Sequence, residues 1–469
     1  MELAELRVAA DAGRKEAMFE LARRYSKGTG VGRNQAEAAN WYRRAADAGH
    51  GKACDRLGAA YLNGQGVVKD EREAVRWFGK GEEAGDPESS ADLGLMQLYG
   101  RGTAKDVAWG LTRVREGAAS GDLGAVDSLA RVYLDGLGVA HDYGEAIKYY
   151  RQAAGAGDSY AMNQIGWMYQ QGWGVPPDPA QAMQWFHKAV EAGEESGASI
   201  NNIGYLYESG SGVGRDYTRA MECYLKAIDC QNARAMSHLG RMSEYGRGMN
   251  RNYEQALRWF RKAVDAAGDT MAMNEIGWMY QQGWGVPPNP ALAMQWFRRA
   301  VDAGDESGTP MNNIGWMYHW GLGVPKDYAR ARECYLKALE SQNHFAMFNL
   351  GVMYASGQGV AKDDVQARVW YRRSADRGFA LAMLELGRVY EDGRGVARDY
   401  AEAIWWFRKA ADGGNADAMN EIAGCYADGR GVEMDRQKAL EWYRKAAAAG
   451  SEKARKSLET AEKQAREAT

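Results

Sequence analysis

A chain of 469 residues with 59 basic and 62 acidic side chains has a net charge of −3 and no basic cluster, which argues against a nucleic-acid footprint. No apolar run approaches the ~20 residues needed to span a bilayer. The opening MELAELRVAADAG lacks the basic start and apolar stretch of a secretory leader, which predicts a cytoplasmic protein; a periplasmic or secreted one would require a leader removed ahead of Met1.

Residues 1–12 predict a partial helix. From residue 13 to residue 450 the string Y-x-x-G-x-G-V recurs, as in YSKGTGV, YLDGLGV and YQQGWGV, with weaker copies LMQLYGRGT and SEYGRGM. The first glycine of each pair falls at Gly28, Gly64, Gly100, Gly136, Gly172, Gly210, Gly246, Gly283, Gly321, Gly357, Gly393 and Gly429, which defines twelve repeats of 36–38 residues. Ahead of the glycines, A-x-x-x-L/I-G-x-x-Y has the spacing of an apolar helical stripe (helix A). After them, A-x-x-W/C-Y/F-x-x-A predicts a second helix (helix B). Paired glycines suit a turn with positive φ or close packing. Six residues after each first glycine stands Asp or Asn, from Asn34 to Asp435, where helix B needs an N-cap. No proline falls inside a predicted helix.

Trp41, Trp77, Trp185, Trp259, Trp296, Trp370, Trp406 and Trp442 share one helix B position and predict an interlocking core. Cys223 and Cys334 occupy the same position. With Cys54, Cys230 and Cys425 they predict buried, unpaired thiols, because Cys223 and Cys230 would lie ~10 Å apart along one helix. Repeat three is degenerate, with Arg113 and Val114 in place of the aromatic pair, and predicts a weak link or a bend. Residues 451–469 align with a further helix A but lack its tyrosine and glycine pair, which predicts a polar capping helix.

This order of helix A, glycine pair and helix B resembles the Sel-one-like repeat (SLR) family of the tetratricopeptide-like superfamily. The resemblance covers roughly residues 13–450 and implies an all-α fold, a right-handed α-solenoid of twelve antiparallel helix pairs with A helices lining a concave face. It also implies an adaptor that holds other proteins. Secreted relatives carry a cysteine pair in each repeat; this chain has none, so the penicillin-binding activity of some of those relatives is not carried over.

No catalytic signature is present. The GxG pairs lie between helices rather than after a strand, which excludes a dinucleotide fingerprint. The histidines (His50, His141, His187, His238, His319, His344) are scattered without ligand spacing, so neither a metal nor a cofactor is expected.

Binding is better supported. With Ile165 at zero and 100° per residue, Trp167 falls at about 200° and Asn163 at about 160°, away from the packed side. The equivalent positions of the next four repeats hold Asn201 and Tyr205, Ser237 and Arg241, Asn274 and Trp278, Asn312 and Trp316. Asparagine amides pair with an extended backbone, and Trp, Tyr and Arg are the usual anchors of an interface. The stripe therefore predicts a peptide groove on helices A of repeats five to nine, unless the aromatics of neighbouring A helices press together as inner packing. Trp173 and Trp284, inside G-W-G, are possible loop anchors, or cover the prolines that follow. Partners expected are another protein or peptide, with self-association possible. The competing expectation is a clamp-like inhibitor or immunity protein that wraps a folded toxin or enzyme. The phrase NQIGWMYQQGWGVPPDP at Asn163 returns nearly unchanged 111 residues later at Asn274, three repeats on, as a duplicated block would.

Overall fold

The computed structural model describes residues 2–467, with side chains described through residue 460. Met1 of the expected N-terminal segment and residues 468–469 of the expected cap lie outside the described residues. All regular structure among the described residues is helical. The chain forms two compact units, Met1–Leu239 and Gly240–Thr469. The first contains α1 (Leu3–Asp11), α2 (Lys15–Lys27), α3 (Gln35–Asp47), α4 (Gly51–Asn63), α5 (Glu71–Glu83), α6 (Pro87–Tyr99), α7 (Val107–Ala119), α8 (Leu123–Asp135), α9 (Tyr143–Gly155), α10 (Ser159–Gln171), α11 (Pro179–Glu191), α12 (Ala198–Ser209) and α13 (Tyr217–Asp229). The boundary falls inside α14 (Ala233–Tyr245). The second unit continues with α15 (Tyr253–Ala267), α16 (Thr270–Gln282), α17 (Pro290–Asp302), α18 (Thr309–Trp320), α19 (Tyr328–Ala338), α20 (His344–Ser356), α21 (Asp364–Ala375), α22 (Ala380–Asp392), α23 (Tyr400–Asp412), α24 (Ala416–Asp428), α25 (Arg436–Ala448) and α26 (Glu452–Glu467).

Each helix pair has the same punctuation. Gly172 ends α10 in the left-handed region, φ +76°, where its N–H donates to Met168 O. Its partner Gly174, φ +68°, does a different job: a Cβ there would lie 2.5 Å from the carbonyl oxygen of Tyr143, the first residue of the preceding helix B. The first glycine thus turns the chain, and the second lets adjacent repeats touch backbone to backbone. All twelve Asp and Asn residues from Asn34 to Asp435 cap a helix B, their side-chain oxygens accepting N–H groups two or three residues on. Asp142, for instance, accepts from Glu145 N at 2.9 Å. That relieves donors that the helix itself leaves open.

The core departs from the sequence expectation at one position. Trp41, Trp77 and Trp406 are buried, but Trp185, Trp259, Trp296, Trp370 and Trp442 are half-buried. The residue that fills the core is the next one: Phe78, Phe186, Tyr224, Phe260, Phe297, Tyr335 and Phe407 are among the largest fully buried side chains. The reason is the glycine of helix A. A Cβ at Gly166 would lie 2.6 Å from the Phe186 ring, and one at Gly277 2.5 Å from Phe297, so each ring lies flush on bare backbone. The outer tryptophan instead carries a cation three residues later: Lys188 lies 4.3 Å above Trp185 and Lys262 4.6 Å above Trp259. Cys54 and Cys425 are buried as expected, whereas Cys223 and Cys334, at the tryptophan position, and Cys230, at the C-terminal cap of α13, are half-buried; all five are free thiols. In repeat three the missing ring is offset by proximity: a Cβ on Gly94 would lie 2.6 Å from the Gly110 carbonyl oxygen, so α6 and α7 close on each other directly.

Candidate partner-binding site

In the first unit, α10 and α12 present Asn163, Trp167, Asn201 and Tyr205. The two asparagines are buried rather than open. Asn163 Oδ1 accepts from Ser199 Oγ and from Asn202 Nδ2, both at 3.0 Å, and Asn201 Nδ2 donates to Asn202 Oδ1 at 3.5 Å. The amides thus lock neighbouring A helices together. One group is left over: Asn201, 3% exposed, has a buried Oδ1 with no hydrogen-bond partner. It lines a cavity of about 480 Å³ together with Asn163, Gln164, Trp167, Asn202 and Arg234.

Trp167 is half-buried and meets Trp173 edge-on at 4.5 Å; Trp173 in turn stacks on Tyr143 at 5.4 Å. The loop tryptophan therefore joins helix A of its own repeat to helix B of the preceding one. Tyr205 is 41% exposed. Behind it His238 lies parallel to Tyr224 at 4.9 Å, and the Tyr224 hydroxyl donates to Glu208 at 2.7 Å.

The second unit holds Arg241, Asn274, Trp278, Asn312 and Trp316. Asn274 Oδ1 accepts from Asn313 Nδ2 at 2.7 Å, and Asn312 Oδ1 from Asn349 Nδ2 at 2.9 Å. Trp278 and Trp316 lie 5.5 Å apart, and Trp278 also meets Phe297 edge-on. In this unit the two tryptophans press on each other, and each is half-buried. Arg241 has a buried Nε without a partner. Burial pushes the Glu244 carboxyl up to about 7, Glu275 adding to the rise and Arg241 opposing it; burial also raises Glu275. Trp284 stacks on Tyr253 at 5.6 Å, as Trp173 does on Tyr143.

The asparagine position has a second occupant that the sequence reading missed. Counting back in steps of 36 from Asn163 gives Asp127 and, two repeats further, Asp55. Both are buried, and each has an Oδ1 without a partner. Burial is the main cause that raises both carboxyls, Asp127 to about 8, with Asp158, Glu88 and Asp122 adding to it. Aligning this column across all twelve repeats, instead of only repeats five to nine, would have exposed the Asn-to-Asp change. Among the described residues no group of His, Cys, Asp and Glu has the arrangement of a metal site, and no helix is long and apolar enough to cross a membrane.

The Sel1 repeat profile matches the chain in twelve segments, from residues 15–50 to residues 416–451, and the degenerate third repeat is matched only over 87–108. A protective antigen of uropathogenic Escherichia coli with an SLR fold is 30% identical, over 99% of this chain and 94% of that one, with a TM-score of 0.43. A Sel1 repeat protein of Oxalobacter formigenes is 33% identical over 53% of this chain and 99% of its own, with a TM-score of 0.46. An immunity protein of Pseudomonas aeruginosa is 20% identical over 46% of this chain and 81% of its own, with a TM-score of 0.37. The comparison with curated proteins found no match.

Proposed function

The chain belongs to the Sel1 repeat family, whose members are protein-interaction scaffolds, and we propose that it is a non-catalytic adaptor binding an extended segment of a partner protein on its A-helix faces. The observation that supports this most is Asn201, a residue lining the cavity beside Trp167 whose buried Oδ1 has no hydrogen-bond donor. A buried amide oxygen without a donor costs about 1–3 kcal/mol, which a backbone N–H from an extended peptide would recover. Trp167 supplies an apolar wall, Arg234 and Gln164 supply polar rim, and Tyr205 stands exposed on the next A helix. Rigid aromatics beside satisfiable amides are the composition of a peptide-recognition surface. In the second unit Trp278 and Trp316 press on each other, and the unpartnered groups of the same columns are Arg241 Nε and Asn420 Oδ1.

The test begins with peptides of about twelve residues selected from a random library on the full chain. Trp167→Ala is expected to weaken them by about 2 kcal/mol, roughly 30-fold in Kd, as for other tryptophan anchors. Titration calorimetry against the wild type measures the difference. Unchanged affinity in a folded Trp167→Ala protein would refute this site. Trp167, Trp278 and Trp316 all pack partly against the core, so a thermal melt of the variant accompanies the binding measurement.

A further inference from the structure

We propose that the first unit carries a second site, a receptor for a single organic cation, an ammonium or guanidinium group, with Asp127 as its principal counter-charge. The site is a cavity of about 520 Å³ between α4, α6, α8 and α10, within the size range of small-ligand pockets. Five carboxylates line it (Glu88, Asp92, Asp122, Asp127 and Asp158), against three cations, Lys52, Arg56 and Arg131.

The cations are already engaged. Arg56 donates to both oxygens of Glu88 at 3.2 Å, Lys52 lies 3.7 Å from Asp122, and Arg131 lies 3.4 Å from Asp135. Asp158 caps α10, accepting from Ala161 N at 2.8 Å. Two carboxylates remain in excess. Asp92 has only the Ser128 hydroxyl, at 3.4 Å. Asp127 is 9% exposed, faces the cavity, and has an Oδ1 with no partner. A buried carboxylate without a donor is a standing deficit that a positively charged donor fills. Leu95, Leu123 and the Tyr160 ring supply the apolar wall along which the aliphatic stem of such a cation would lie.

The protonation of the site gives it a signature. Burial, then Glu88, holds the Asp92 carboxyl at about 7, with Arg56, Ser128 and Arg131 opposing, while Asp127 stands at about 8. At neutral pH both hold protons for much of the time, so a cation that enters must displace them. Binding is therefore coupled to proton release.

The experiment titrates the full chain at pH 7 and low salt with N-acetyl-lysine methylamide, N-acetyl-arginine methylamide and the neutral norleucine analogue, in buffers of different ionisation enthalpy. The expected result is saturable 1:1 binding of a cationic probe, none of the norleucine analogue, and release of about one proton. Asp127→Asn keeps the shape and removes the charge; it is expected to weaken the cationic probe at least 10-fold and to cut the proton release to the fraction that Asp92 supplies. Putrescine in the same assay separates the sources: tighter binding than the blocked residues assigns the site to a free amine, and weaker binding to a side chain of a partner protein. The proposal is overturned if no cation binds saturably, or if Asp127→Asn, shown folded by its thermal melt, binds the probe as the wild type does.

Discussion

Phe186→Ala is expected to destabilise the first unit by about 3–5 kcal/mol, while Trp185→Ala, at the neighbouring position, should cost only about 1 kcal/mol. The difference follows from where each ring goes. Phe186 is fully buried and lies flush on Gly166, so its removal opens a cavity that bare backbone cannot refill. Trp185 is half-buried, and its outer face holds Lys188 in a cation–π contact whose loss costs a fraction of a kcal/mol to about 1 kcal/mol. Urea unfolding followed by circular dichroism ranks the two variants. A larger loss for Trp185→Ala would return the tryptophan column to the centre of the core.

The first unit should also lose stability as pH rises from about 4 to about 8. In the folded chain Asp127 is raised to about 8 and Asp92 to about 7, from ordinary values of 3.8. Over that window the unfolded chain gives up these protons first while the folded chain retains them. A raised carboxyl contributes stability that is complete below its unfolded pKa and is lost as pH climbs through its folded one. Asp127 is faced by Asp122 on its own helix, by Glu88 on α6 and by Asp158 at the start of α10, and no cation lies among its principal influences, so screening within the site does not cancel the effect. Thermal melts at pH 5 and pH 8 should show the wild type falling by several degrees and Asp127→Asn falling less. Equal slopes for the two proteins would show that Asp127 ionises freely.

Most of the fold is written in local residue types. The glycine pair, the Asp or Asn six residues later and the alanine spacing each answer to a backbone requirement within a few residues, and each acts in the structure as that requirement demands. Trp185 and Phe186 mark where such reasoning stops: two adjacent aromatics are both apolar, and only the bare Gly166 on the facing helix decides which ring goes in. Asn163 shows the same limit at the site. A helical wheel gives the direction of its side chain but not its hydrogen-bond partners Ser199 and Asn202, which arrive from the next repeat, 36 and 39 residues away. The columns of the candidate site were thus legible in the sequence, while the division between interlocked amides and the unpaired oxygens, on Asn201, Ser237 and Asn420, was not. Asp127 escaped for another reason: its column was read for asparagine, and its significance lies in the charge that replaces asparagine there.

The binding face itself is tested most directly by photocrosslinking. A benzophenone amino acid at position 205 stands on the proposed face; one at position 225 replaces Leu225, 45% exposed on helix α13, and serves as the control. A library-selected peptide is predicted to crosslink from position 205 and not from 225. Crosslinking from 225 alone would contradict the account and place the partner on the helix B surface instead.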